Sequence, residues 1–229
     1  MKAMIGEQAM ISNRAILVQL CLVALSSLGM ILLLGSPRGL ISETDRVAVA
    51  MVLDWVLALL VLAFVTCSER LPLRSIGLTM PTCPVLRAAL LCWLIGSLTF
   101  LLTTPLVNAL GLSATTGSLV RLARIPVEVR VALVVTAGIC EELVFRGYLI
   151  ARLALLTGNL CLAAMLAWAV FTLLHLPRWG SGGTLQIGAW ALVISILYLR
   201  TRSVPACILM HILNDSFAVV ILPLLVPLR

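Results

Sequence analysis

Apolar residues run through this chain in long blocks, at roughly 15–34, 47–67, 88–110, 129–152, 160–176, 184–199 and 204–228, separated by short polar gaps. A helix needs about 20 apolar residues to cross a hydrocarbon core about 30 Å thick. The pattern therefore predicts an all-α, polytopic membrane protein of about seven transmembrane helices. Residues 1–229 form a single membrane domain in this reading, with N-terminal helices over 1–128 and a core over 129–228. Proline and glycine punctuate the gaps: Pro37 with Gly39, Pro72 to Pro84, Pro126, Gly158, and Pro177 to Gly183. The fifth and sixth blocks are short. Residues 111–124 are too polar to span and too apolar for a free loop, so they are expected at the interface or entering part of the way. A polar stretch, Met1 to Arg14, precedes twenty apolar residues with no small-residue cleavage site, which predicts an uncleaved first span.

Composition supports the same picture. Only 11% of the 229 residues are charged and 62% are hydrophobic, against about 25% charged in a soluble domain. Such a chain cannot cover a water-facing surface, so the lipid bilayer is its main partner and a cell membrane (plasma or inner) its expected location. Sixteen basic residues against nine acidic give a net charge of +7. The basic residues lie between apolar blocks and not in clusters interleaved with aromatics, which suits topology and anionic lipid and excludes nucleic acid as a partner. Counted by side, eight basic residues against seven favour a cytoplasmic N-terminus. The seven cysteines form no CxxC pair, and most sit inside apolar blocks as small hydrophobes, which argues against a disulfide framework or a zinc ribbon.

Polar residues inside the spans are few, and ionisable groups there are costly enough to mark function. The fourth block contains Glu141-Glu142-Leu143-Val144-Phe145-Arg146, the fifth ends in Phe171-Thr172-Leu173-Leu174-His175, and the seventh contains His211-Ile212-Leu213-Asn214-Asp215. Glu142 and Arg146, four apart, share a helix face and can pair, while Glu141 is turned about 100° away. His211 and Asp215 share a face in the same way. In a hairpin turning at Thr157-Gly158-Asn159, Glu141 and His175 are each 17 residues from Gly158 and so stand level. Glu141 precedes Arg152 by 11 residues and His211 follows Arg200 by 11, a depth of about 16 Å if both arginines mark one interface. Three titratable groups from three helices are expected in one midplane layer. Asp54, deep in the second block, is expected to be a packing or water-contact residue outside it.

Taken in order, EExxxR, FxxxH and HxxxD resemble the motifs of the CPBP (Abi) family of membrane proteases, which includes the type II CAAX prenyl endopeptidase and proteins linked to bacteriocin processing and immunity. The resemblance covers roughly residues 129–220. It implies hydrolysis of peptide bonds in membrane-embedded or lipidated polypeptides, with Glu141 and His175 activating a water and His211 with Asp215 supporting the oxyanion. Glu142, Arg146 and Asn214 would support them, Arg146 pairing Glu142 and leaving Glu141 as the reactive member. Asp215 stands where the family often has Asn; an ionised Asp only accepts, so it would orient His211 or bind a metal. Glu141, His175, His211 and Asp215 form a donor set zinc would accept, although no HExxH is present, and the metal question stays open at this point. The rivals are an inactive membrane scaffold or bacteriocin-immunity protein, and a proton-linked transporter. No repeat symmetry supports the transporter, and the scaffold reading would predict a lost Glu or His. A rhomboid-like serine site would need GxSG, and Trp179-Gly180-Ser181-Gly182 lacks the first glycine.

Overall fold

The computed structural model describes residues 42–112 and 116–225, and among them every regular element is helical. The expected span at 15–34 lies outside the described residues. Helix α1 (Glu43–Ser68) starts at Ser42, whose side chain accepts from Asp45 N at 3.1 Å, and its last turn widens to π geometry over Phe64–Ser68. After a 3-10 turn at Leu73–Ile76, α2 (Cys83–Ala109) begins on Pro84, a residue whose fixed φ suits a first helical turn. The segment expected at the interface is a short helix, α3 (Thr116–Ala123). Its Ser118 and Arg121 both donate to the carbonyl of Arg178, at 2.8 and 3.0 Å.

Helix α4 covers 127–157 as α-helix at Val127–Glu141, π-helix at Glu142–Leu149 and α-helix again at Ile150–Thr157. It turns at Gly158, whose φ of 65° is left-handed, into α5 (Leu160–Leu174), where Asn159 caps by accepting from Leu162 N. The hairpin turn is where the sequence puts it. Helix α6 (Leu176–Thr201) contains a non-helical Gly180, φ 69°, so the glycine-rich gap becomes a break inside a helix and not an open loop. Helix α7 (Val204–Leu225) starts on the Ser203 cap and widens to π geometry at Ser216–Ile221.

Four helices, α1, α2, α6 and α7, are long and apolar enough to cross a membrane, and α5 is a shorter apolar helix. This is a membrane protein. The six ionisable residues of α4, Glu128, Arg130, Glu141, Glu142, Arg146 and Arg152, exceed what apolarity alone would allow in a span. They are accommodated because α4 is enclosed: α1, α5 and α7 pack against it. The outer faces of α1 and α2 carry exposed Leu59, Leu60, Leu101 and Leu102, as lipid contact requires, while α6 is the most enclosed of the four spanning helices.

Two ties set α1 parallel to α4. Trp55 Nε1 donates to Thr136 Oγ1 at 3.1 Å, and Arg152 Nε donates to Glu69 Oε1 at 2.8 Å with its Nη2 on the second carboxylate oxygen. Arg152, expected at the membrane interface, is fully buried, because the carboxylate just past α1 meets it there. Arg130, counted among the basic residues on the side opposite the N-terminus, is also buried and donates to the Val219 carbonyl at 2.9 Å. Helices α4 and α7 cross closely at Gly138, where an added Cβ would meet Ile212 Cγ1 at 2.5 Å. Gly138→Ala is expected to push α7 away and lower the melting temperature in detergent, and Ile212→Ala in the same chain should restore it. An unchanged melt for the single variant would mean that the crossing yields freely.

Candidate active site

The π-helical turn of α4 opens at Glu142 and carries Arg146 four residues on, both fully enclosed. Arg146 Nη1 donates to Glu142 Oε1 at 2.9 Å. The same oxygen accepts from His211 Nδ1 on α7 at 2.7 Å, so Glu142 joins the two helices. His211 Nε2 faces Asp215 Oδ2 at 3.5 Å, the outer limit of a hydrogen bond, and Asn214 Nδ2 donates to Asp215 Oδ1 at 3.0 Å. Trp190 of α6 sets the orientation of the imidazole, its ring edge-on to His211 at 4.9 Å.

Across α4, Phe171 of α5 lies between two charged-type groups. The Arg146 guanidinium stands 4.2 Å from its ring centroid, and the His175 ring 4.5 Å on. Cation–π contact of this kind is worth more in a dry interior than at a surface. His175 Nδ1 donates to the Phe171 carbonyl at 2.8 Å, which fixes its tautomer and leaves Nε2 as an acceptor. The FxxxH motif thus has a physical content: one residue supplies both the carbonyl that holds the imidazole and the ring that holds Arg146.

Glu141 differs from its neighbour in that, among the described residues, no side-chain hydrogen bond holds it, whereas Glu142 Oε1 accepts two. Glu141 Oε2 is buried with no hydrogen-bond partner, and Glu142 Oε2 and Arg146 Nη2 share that condition. Buried polar atoms left bare are rare and call for a water, a ligand or a catalytic role. The charges acting on Glu141 are those of His211, Asp54, Asp215 and Glu142, and those acting on His175 include His211, Asp215 and Arg146. His211 and Asp215 are thus common neighbours of the two residues expected to activate water, although no direct hydrogen bond joins Glu141 to His175. Sequence reasoning missed the Glu142–His211 bond, the place of Trp190 and the proximity of Asp54. Only Asp54 left a signal, as the one Asp, Glu, Lys or Arg between Arg46 and Glu69.

Among the described residues no group of three or more His, Cys, Asp or Glu side chains is placed to hold a metal ion. A carboxylate oxygen faces each nitrogen of His211, so neither has a lone pair directed at an ion.

Residues 124–217 match the family model described as type II CAAX prenyl endopeptidase Rce1-like. The match covers 94 of the 229 residues and contains the EExxxR, FxxxH and HxxxD motifs. Every residue of the Glu142–His211 network falls inside this matched segment, which opens at the end of α3 and closes in the π turn of α7. Neither the curated proteins nor the solved structures contain a match to the chain. Helices α1 and α2 thus lie outside the matched segment, although α1 packs directly on its first helix.

Proposed function

We propose that this protein is an intramembrane endopeptidase that cleaves lipidated, CAAX-type polypeptides presented from the bilayer. The observation that carries this reading is the bare, buried Oε2 of Glu141 next to an imidazole held by Glu142, within a segment matching a CAAX endopeptidase family.

Hydrolysis follows from the roles of the residues. A water approaches Glu141 Oε2, which takes its proton while the water oxygen bonds to the scissile carbonyl carbon. His175, with Nε2 free to accept, steadies the water's second hydrogen. The resulting oxyanion needs preorganised donors in a dry site; His211 Nε2–H, loosely held by Asp215 at 3.5 Å, can turn to it. The tetrahedral centre then collapses, the C–N bond breaks, and Glu141 returns its proton to the leaving amine. One water is consumed and the carboxylate is regenerated. Arg146 and Phe171 hold the framework and take no proton.

The test is cleavage of a farnesylated, internally quenched CAAX peptide by the purified protein in detergent, with and without a zinc chelator. Cleavage that ignores the chelator is the expected result. Asp215→Asn should retain or raise the rate, since it keeps an oxygen toward His211 and adds a donor. Zinc at one per chain by elemental analysis, lost with activity in the Asn variant, would refute the glutamate-only mechanism. An intact peptide would return the protein to the scaffold or immunity class.

A further inference from the structure

Asp54 sits in the middle of α1, outside the matched segment, and costs energy where it is. A carboxylate in a spanning helix is disfavoured, so one that serves only packing would be poorly placed. It is half-buried and shares its helix face with the buried Ala50, Leu57 and Ala58. The adjacent Trp55 is bonded to Thr136, which brings this turn of α1 alongside α4 one to two turns before Glu141. Side chains on helices lean toward the N-terminal end, and in this parallel pair the longer Glu141 side chain reaches further that way than Asp54 does, which narrows the offset between them. The charge of Asp54 reaches Glu141, and Cys140 feels both carboxylates. No hydrogen bond joins them, and Glu141 Oε2 lacks any partner.

A bare buried carboxylate oxygen one to two turns past the Trp55–Thr136 tie is a polar site at which a water can join α4 to α1. On the endopeptidase reading, on which this rests, we propose that Asp54 is a further water-holding residue of the active site: it shares with His175 Nε2, in a three-centre bond, the hydrogen of the attacking water that Glu141 does not take, and aims the oxygen's lone pair away from α1. Glu141 takes the other hydrogen as the proton that is later delivered to the leaving amine, so Asp54 neither gains nor loses a proton over the cycle. The catalytic layer therefore includes a helix that the family segment does not contain.

Asp54→Ala should lower kcat on the farnesylated peptide about tenfold or more with KM unchanged, and Asp54→Asn, which keeps an acceptor oxygen, should recover most of the loss. The melting temperature of Asp54→Ala in detergent should equal or exceed that of the parent, because a buried ionisable group is removed. Equal rates for both variants and the parent overturn the proposal, as does a fall in KM-determined affinity with kcat intact. Glu141→Gln, assayed alongside, separates the two ideas: a dead Glu141→Gln with a fully active Asp54→Ala discards only Asp54, whereas an active Glu141→Gln discards the endopeptidase mechanism. Should the parent leave the peptide uncut, the melts still decide. An Asp54→Ala that unfolds several degrees early is a packing residue.

Discussion

Glu141→Ala is expected to lower proteolysis by roughly 100- to 10,000-fold, the usual span for loss of a general base, and to leave the protein inserted and folded. Folding should survive because Oε2 of Glu141 takes part in no hydrogen bond, so its removal orphans nothing there. His175→Ala should be comparably inactive. Its imidazole is held by the Phe171 carbonyl and ring of its own helix, contacts that position the ring without holding helices together, so activity should fall further than stability. The measurement is cleavage rate on the farnesylated peptide together with a thermal melt of each variant. Full activity in either would remove that residue from the site.

Arg146→Ala should behave in the opposite way, with stability lost along with activity. Arg146 gives Glu142 one of its two hydrogen bonds and lies over Phe171, so its removal strips a buried carboxylate of its cation and opens a gap between α4 and α5. Breaking a buried pair from one side costs about 3–5 kcal/mol, which for a chain of this length lowers the melting temperature on the order of 10 °C. Arg146→Lys should recover only part of this, because an ammonium lacks the planar surface that meets the ring. A melt identical to the parent would mean that the pair contributes nothing, and Glu142→Gln in the Arg146→Ala background should regain stability if the stranded charge is the cause.

The spans were legible because lipid imposes a strong, local demand: long apolar blocks, punctuated by Pro and Gly, announce α1, α2, α5 and α7 nearly to their ends. The hairpin at Gly158 was legible for an equally local reason, a residue that tolerates positive φ followed by an Asn cap. Spacing by four correctly paired Glu142 with Arg146 and His211 with Asp215. What depended on relations between helices was not legible. The bond from His211 to Glu142 spans 69 residues, and nothing on either helix states which stripe faces the other. Arg152 and Arg130 were read as interface residues because charge in a sequence looks exposed; Glu69 and a free carbonyl at Val219 bury them. The break at Gly180 inside α6 was misread because glycine between apolar blocks signals a turn without saying that the helix resumes at once.

The widened turn at Glu142–Leu149 resolves a conflict of phase. Thr136 and Arg152 are both held by α1, yet they are sixteen residues apart in sequence. At about 100° per residue an unbroken α-helix would carry them four full revolutions and a further 160°, nearly back to back. Winding eight residues more slowly absorbs the surplus, so that one edge of α4 returns to α1 at both ends while the stretch between swings its carboxylate toward α7. The reactive layer sits where the helix changes gauge. Shortening that stretch by one residue would leave every side chain's chemistry intact and still rotate the lower half of α4 out of mesh with its neighbour.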